Sequence, residues 1–486
     1  MDENAKGTVL SSLFWKFAER IGAQGVNLIV SIILARILAP EEYGLVALVT
    51  IFITISNVFI ENGFGTALIQ KKDADDLDFS SVFYCNIFIS IVLYIIIFFA
   101  SPLIARFYNN EQLILILRIL AITVLVSGLK SVQNAYVSRK MIFKKFFICT
   151  SIGTIGSAII GIWMAYKGYG VWALVVQQLT NNIVSTIMLW ITVKWRPILK
   201  FSFNRLKKLF SFGWKMLCSG LIDAIYNELY ALTIGKVYST EQLAYYNKAN
   251  QFPNIITTNV NGSISAVMLP ALSNEQERKE KLKSMMRRAI KISAFLLFPM
   301  MFGLAAVSEP LIKIILTDKW LPAVPLMQLL CFSYVLWPIH TINLQAISAM
   351  GRSDIFLKLE FIKKIIGIIA LFISIPLGIV WMAAIKVITS IISTFINAYP
   401  NKKLLDYSYV EQLKDIFGSF IISFIMLVII YTMNNIKINI YLLLILQIIV
   451  GILIYFGISY MIKSESLDYI ITTIKDKLKI RKEAKI

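Results

Sequence analysis

The sequence predicts an all-α integral membrane protein with 14 transmembrane helices. Its 486 residues are 58% hydrophobic and only 16% charged, and the mean hydropathy is +0.73. Apolar stretches of roughly 17 to 25 residues, each long enough to cross a bilayer, recur along the chain. Lys and Arg fall about four to one on alternate connections, as the positive-inside rule describes. This bias accounts for the net charge of +20. We therefore predict no nucleic-acid partner.

The bounds of the spans follow from where the apolar runs begin and end. The predicted spans are 10–36, 44–69, 80–100, 113–136, 146–166, 171–193, 210–235, 247–271, 289–308, 324–349, 361–376, 379–399, 414–432 and 440–462. The even number of spans and the Lys/Arg bias predict that both termini are cytoplasmic. Tryptophans near span ends indicate an aromatic belt: Trp172, Trp195, Trp214, Trp320 and Trp381.

The chain also repeats itself. Residues 36–44 resemble residues 236–244, and residues 168–173 resemble residues 377–382. We therefore expect helices 1–6 to be duplicated as helices 7–12, giving two six-helix lobes around a central site. The predicted divisions are 1–200 (N-terminal lobe), 201–403 (C-terminal lobe), 404–462 (two additional helices) and 463–486 (a basic amphipathic cytoplasmic tail).

Polar and charged side chains on the first span form one stripe. They include Lys16, Glu19, Arg20, Asn27 and Ser31, which fall on one face of a helix. Charges inside a membrane are costly unless they face protein or a water-filled cavity, so the stripe predicts that this helix lines such a cavity. The alternative is that Lys16 and Arg20 snorkel to the headgroups and Glu19 pairs with them.

Further cations and amides lie within other spans. Asn227 corresponds to Asn27 in the repeat, Lys130 precedes two amides on helix 4, and Lys386 lies roughly 12 Å inside helix 12. Such cations favour an anionic cargo, and a diphosphate suits Arg and Lys well. The predicted substrate-binding residues are Lys16, Arg20, Asn27, Lys130, Asn227 and Lys386. The competing interpretation is that each charge belongs to an internal salt bridge.

Carboxylates within the spans suggest a second role. A poorly solvated carboxylate takes up a proton more readily, which would couple transport to a cation gradient. The predicted ion-coupling residues are Glu19, Glu61, Asp223 and Glu228. Pairing with a lysine is again the alternative.

Signals for catalysis or cofactors are weak. The four cysteines are widely separated in apolar runs, and the single histidine, His340, has no evident partners. Residues 73–75 resemble a metal-holding acidic pair of glycosyltransferases, but their loop is short. We therefore interpret four aspartates as a solvated acidic loop: Asp73, Asp75, Asp76 and Asp78. We predict no enzymatic activity, no cofactor and no metal site.

Three short segments resemble a known family. Residues 14–20 together with 34–44 resemble the start of Wzx-type bacterial polysaccharide exporters, in the multidrug/oligosaccharidyl-lipid/polysaccharide (MOP) superfamily. Residues 318–323 are similar to a Gly-x-x-Trp-x-x-Ala segment of such exporters, with Thr317 at the glycine position. The closest similarity is to colanic-acid and teichuronic-acid exporters.

The resemblance implies a MATE/MOP-like fold and a flippase for undecaprenyl diphosphate-linked oligosaccharide. Such a flippase serves the synthesis of lipopolysaccharide O-antigen, capsule or exopolysaccharide, by alternating access through a cationic central cavity driven by H⁺ or Na⁺. It implies membrane lipids, a polymerase and other glycan-assembly proteins as partners. A multidrug/cation antiporter of the same superfamily is the main alternative, and a membrane polysaccharide polymerase or ligase is a third.

Overall fold

The computed structural model describes residues 15, 22–62, 64–71, 73–472 and 475. Every regular element in this part of the chain is a helix. The chain forms two compact units, one ending at Ala244 and the other beginning at Tyr245. The lobes 1–200 and 201–403 stay a prediction from the internal repeat.

The first unit holds nine helices of the described chain and the start of a tenth. They are α1 (Gly22–Ile37), α2 (Pro40–Glu61), α3 (Phe64–Gln70), α4 (Asp76–Tyr108), α5 (Gln112–Leu120), α6 (Ile122–Lys140), α7 (Phe143–Tyr166), α8 (Val171–Thr192), α9 (Phe203–Val237) and α10 (Thr240–Ser273).

The second unit contains the rest of α10 and the helices that follow. They are α11 (Lys279–Ala306), α12 (Ser308–Ile315), α13 (Ala323–Val335), α14 (Trp337–Ala349), α15 (Ser353–Ser374), α16 (Ile379–Leu405), α17 (Tyr409–Thr432) and α18 (Ile440–Met461). Short 3₁₀ turns occur at Asp318–Trp320, Ile375–Leu377 and Met433–Asn435. Residues 465–472 of the predicted tail are helical.

Eleven helical segments of the described chain are long and apolar enough to cross a membrane. Each coincides with a predicted span, although α2–α3, α5–α6 and α13–α14 are each interrupted within one span. The other three predicted spans fall on α1, α9 and α15, which within the described residues do not meet the same length and hydropathy criteria. Residues 10–14 and 16–21 of the first predicted span lie outside the described residues. The chain is therefore a multi-pass membrane protein, and the total of 14 spans stays a prediction.

Three residues of the motif at 36–44 have structural roles at the start of α2. Pro40 occupies the first helical turn, where its missing N–H costs nothing, and the Glu42 carboxylate accepts a hydrogen bond of 2.7 Å from the Ala39 N–H. Gly44 lies against the backbone of Thr240, where a Cβ would overlap the carbonyl group. The glycine thus permits close approach between the beginnings of α2 and α10.

Helices α7 and α8 pack closely through small residues. A Cβ on Gly161 would come within 2.8 Å of the Gln177 Cβ, and one on Gly153 would overlap the Ser185 hydroxyl. Close packing of this kind is a common way to join helices in a membrane, where apolar surface alone provides no driving force between them.

Aromatic side chains fill the core of the first unit where α4, α6 and the segment after α8 meet. The Trp195 ring lies 5.8 Å from Phe79 and 6.1 Å from Phe83 between ring centroids. Trp195 is 5% exposed, so its assignment to an interfacial belt is wrong: its neighbours on α4 bury it.

Helix α11 provides the centre of the second unit. Phe295, Phe298 and Phe302 are at most 1% exposed, and the Tyr455 hydroxyl of α18 donates a 2.7 Å hydrogen bond to the Phe295 carbonyl. By contrast, the Phe99 side chain on α4 is exposed. An apolar side chain of this kind suits contact with lipid.

Candidate functional site

Three of the predicted site residues, Lys16, Glu19 and Arg20, lie outside the described residues. Of the amides related by the repeat, Asn27 on α1 and Asn227 on α9 are both exposed. Of the remaining predicted residues, Lys386 lies in the second unit, and the first unit holds Glu61, Lys130, Asp223 and Glu228.

In the second unit, Lys386 lies among aromatic and amide side chains. It is half-buried and about 11 Å along the axis from the start of α16. Its Nζ donates a 3.0 Å hydrogen bond to the Tyr246 hydroxyl and lies 5.6 Å from the centroid of that ring. The Tyr334 hydroxyl donates a 3.0 Å hydrogen bond to Asn250 Oδ1. We call Lys386, Tyr246, Tyr334 and Asn250 the lysine–tyrosine cluster.

The cluster draws on three helices. Tyr246 and Asn250 are one turn apart on α10, Tyr334 is on α13 and Lys386 is on α16. The ammonium group also interacts electrostatically with the Tyr334 phenol. A phenol oxygen accepts a hydrogen bond from an ammonium and orients it, while its own O–H can still donate. The arrangement can therefore place the Lys386 ammonium beside the Tyr246 hydroxyl, and a cation next to a hydroxyl donor is the chemistry that recognises phosphate oxygens.

In the first unit, two predicted site residues with different assigned roles come together. Lys130 on α6 interacts electrostatically with Glu61 at the end of α2. One turn away on each helix lie Asn57 and Asn134, whose Oδ1 atoms are enclosed and accept no hydrogen bond among the described residues. The charge of Lys130 thus acts on Glu61, and the assignment of Lys130 to an internal salt bridge or to the cargo site stays a prediction.

The two carboxylates predicted on α9 differ in exposure. Asp223 is exposed and shares a helix face with Asn227, one turn further on. Glu228 is half-buried and lies on a different face. The structure therefore does not bring these two carboxylates together into one site.

A buried cation that sequence reasoning missed is Lys248, on α10 in the second unit. It is 6% exposed, its Nζ lies 5.8 Å from the Trp320 ring centroid and it donates a 3.3 Å hydrogen bond to Gln251. Trp320 is fully buried, which corrects its assignment to the interfacial belt. Cation–π attraction strengthens when both partners are removed from water. The contact with Lys248 therefore gives Trp320, the tryptophan of the segment 318–323, a structural role.

His340 has partners after all. Its Nε2 lies 2.9 Å from the Thr394 hydroxyl and its Nδ1 lies 3.1 Å from Asn397 Nδ2. Further along the same helices, Asn401 Nδ2 donates a 2.6 Å hydrogen bond to Asn343 Oδ1. These contacts join α14 to α16 by hydrogen bonds, as polar side chains do between membrane helices. They provide no ligands for a metal, and no metal-binding cluster occurs in the described part of the chain.

The acidic loop is also different from its prediction. Asp78 is fully buried, and its carboxylate lies 2.6 Å from Lys71 Nζ and 3.5 Å from Arg205 Nη1. Asp75 caps α4 by accepting a 3.0 Å hydrogen bond from the Asp78 N–H, and a hydrogen bond from Arg205 lowers its pKa to about 2. The interpretation of a solvated loop is wrong for Asp78, because Arg205 reaches it from α9.

Comparison of this helical fold with solved structures indicates the class of protein. The fold is shared with the solved structure of the lipid II flippase MurJ in an inward closed conformation, with a TM-score of 0.75, 19% identity and coverage of 93% of this chain and 98% of that one. It is also shared with an inward-facing multidrug resistance MATE family transporter of the MOP superfamily, with a TM-score of 0.62, 15% identity and coverage of 82% and 99%. The chain is thus a membrane protein with the fold of the MOP-superfamily transporters.

The chain belongs to the polysaccharide biosynthesis protein family, whose pattern matches residues 33–325. It is 27% identical to the teichuronic acid biosynthesis protein TuaB of Bacillus subtilis, over 71% of this chain and 73% of that one. It is 22% identical to the lipopolysaccharide biosynthesis protein WzxC of Escherichia coli, over 87% of each chain. These relationships confirm the resemblance to Wzx-type exporters.

Proposed function

We propose that this protein is a flippase that moves undecaprenyl diphosphate-linked oligosaccharide from the cytoplasmic to the outer leaflet of a bacterial inner membrane. Its family, and relatives named for teichuronic acid and lipopolysaccharide biosynthesis, support a role in making a surface glycan. The fold that it shares with a lipid II flippase supports movement of a lipid-linked cargo. The chain acts as a transporter and catalyses no reaction of its own.

The observation that carries this proposal is the lysine–tyrosine cluster. An isolated ion in an apolar interior costs on the order of tens of kcal/mol, so a diphosphate needs cations along its route. Lys386 provides one inside a membrane-spanning helix, and its hydrogen bond to Tyr246 holds it in place. A point charge with neighbouring hydroxyl groups suits a phosphate oxygen.

The route of transport, its energy source, the topology and the partners are inferred from the sequence. Transport proceeds by alternating access through a cationic cavity to which Lys16, Arg20, Asn27 and Asn227 contribute. An H⁺ or Na⁺ gradient acts through some of Glu19, Glu61, Asp223 and Glu228. Both termini are cytoplasmic, and membrane lipids, a polymerase and other glycan-assembly proteins are the partners.

The test is complementation of a strain that lacks this protein. The strain is expected to lose surface glycan and to accumulate undecaprenyl-linked repeat units on the cytoplasmic face, and the wild-type chain should reverse both effects. Lys386→Ala should leave the block in place at normal protein abundance, whereas Lys386→Arg should restore part of the export because it keeps the charge. Lys437→Ala removes an equal charge from an exposed loop and should complement fully.

A multidrug antiporter is the second candidate, because the fold is shared with a MATE transporter. A cation inside a span disfavours cationic drugs by like-charge repulsion. Normal surface glycan together with changed dye resistance in the deletion strain would favour the antiporter. Surface glycan that stays normal without the protein, or full complementation by Lys386→Ala, would overturn the proposal.

A further inference from the structure

The second unit contains a cavity that the proposed transport does not use. It measures about 630 Å³ and lies between the end of α10, the start of α11 and the helical residues after α18. Its lining residues are Ile264, Val267, Met268, Ala271, Lys281, Ser284, Met285, Arg288, Ala289, Ile292, Ser293 and Tyr469. We call it the α10–α11 cavity. Its volume is within the roughly 300–1,000 Å³ of small-molecule sites.

The cations in the lining of this cavity lie at the start of α11, and most of the other lining residues are apolar. Lys281, Ser284 and Arg288 lie on one face of the first turns of α11, and Ile292 follows one turn deeper. On α10, which runs in the opposite direction, Ala271 is near the helix end and Ile264 is about 11 Å further in. Cations at the mouth and apolar walls below match a molecule with an anionic head and a hydrocarbon chain.

Arg288 is the residue best placed to bind the anionic head. Its guanidinium carbon lies 5.2 Å from the centroid of the Tyr469 ring, which supports it from one side. Among the described residues, no carboxylate lies within ion-pair distance of Arg288. Lys281, by comparison, is held by Glu275 at 2.5 Å. A guanidinium binds two oxygens of a phosphate in a fork, so Arg288 provides the directional contact and Lys281 adds charge.

From this arrangement we infer that the α10–α11 cavity binds an anionic phospholipid, with its phosphate at Arg288 and its acyl chain against Ile264, Met285 and Ile292. The Lys/Arg bias predicts that the α10–α11 connection is cytoplasmic, where anionic headgroups attract basic surfaces. Residues 476–486 would be a poor occupant, because their excess of Lys and Arg over acidic residues repels Arg288 and Lys281. Free phosphate would leave the apolar walls exposed to water.

The full-length protein is placed in nanodiscs of mixed phosphatidylglycerol and phosphatidylcholine and then purified from them. Native mass spectrometry measures which lipid stays bound to the purified protein. The wild-type protein should retain phosphatidylglycerol in preference to phosphatidylcholine. Arg288→Ala should lower that retention about tenfold, the effect of losing a charge-assisted hydrogen bond. Ala289→Leu keeps both cations but fills the apolar wall, and it should lower retention as well. Lys437→Ala, a matched loss of charge elsewhere, should have no effect.

Several outcomes would overturn the inference. Equal retention of the two lipids would remove the role of the anionic head, and unchanged retention in both Arg288→Ala and Ala289→Leu would place the lipid elsewhere. Displacement of the lipid by millimolar inorganic phosphate would indicate a free-anion site. If phosphatidylglycerol binds only after deletion of residues 476–486, those residues occupy the cavity in the intact protein. Melting temperatures measured in parallel would show that the variants are folded.

Discussion

The ammonium group of Lys386 and the phenol oxygen of Tyr246 lie 3.0 Å apart, although 140 residues separate them in the sequence. Tyr246 is buried at 4% exposure, and Lys386 is half-buried on a neighbouring helix. A fixed phenol therefore determines where the charge of a flexible lysine side chain is found. Because preorganised charges bind an anion without first being ordered, this contact links the packing of α10 and α16 to the proposed cargo.

Tyr246→Phe tests whether this positioning matters. The substitution keeps the ring and its packing but removes the oxygen that accepts the Lys386 hydrogen bond. A hydrogen bond to a charged group contributes about 1.5–3 kcal/mol, so we expect flipping of a fluorescent lipid-linked oligosaccharide in proteoliposomes to fall about tenfold. Full activity in Tyr246→Phe would show that the hydroxyl does not position Lys386 for transport.

The helices were largely predictable from sequence because lipid imposes a simple requirement. Each span needs an apolar run of sufficient length, so the predicted bounds lie close to those of α8 (Val171–Thr192) and α18 (Ile440–Met461). The sites were less predictable. The buried Lys248 lies against Trp320 and the buried Asp78 pairs with Arg205, and both partners are distant in sequence. Sequence shows that a charged residue is present, but only tertiary structure shows its partner.

The interaction between Glu61 and Lys130 makes two assigned roles testable in one cycle. If each residue mainly compensates the other, Glu61→Gln and Lys130→Gln should each impair export, because each removes the electrostatic interaction between them. The double variant should then recover much of the activity. If Glu61 couples transport to an ion gradient, the double variant should be active but insensitive to a protonophore. Export and protonophore sensitivity of the three variants distinguish these outcomes.

The pH dependence of stability should reflect the Arg205–Asp75 contact. A hydrogen bond from Arg205 lowers the Asp75 pKa from its ordinary 3.8 to about 2 in the folded protein. A lowered pKa stabilises the folded state above the unfolded-state value, and this contribution is lost as the pH falls from about 4 to 2. The melting temperature of Arg205→Ala should therefore be below that of the wild type near pH 7, and the part of this difference due to Asp75 should disappear toward pH 2.

The effect is expected to be modest, because half of the Asp75 side chain is exposed and water screens the pair. Lys207→Ala, a charge removed from the same stretch of α9, is the matched control. A difference between Arg205→Ala and the wild type that does not shrink at all from pH 4 to pH 2 would contradict this account.

The contact between Gly44 and Thr240 leads to a prediction about folding. A Cβ at residue 44 would overlap the Thr240 carbonyl group, and both backbones belong to helix starts that cannot shift without disturbing their neighbours. We expect Gly44→Ala to reduce the amount of folded protein in the membrane and to lower its melting temperature by several degrees or more. Gly156→Ala is the matched control, because it too lies within a helix but has no atom within 4 Å of an added Cβ. Alanine favours a helix over glycine by roughly 1 kcal/mol, so the control should be as stable as the wild type or more so. Equal stability of the two variants would show that α2 and α10 do not approach each other at Gly44 as closely as described.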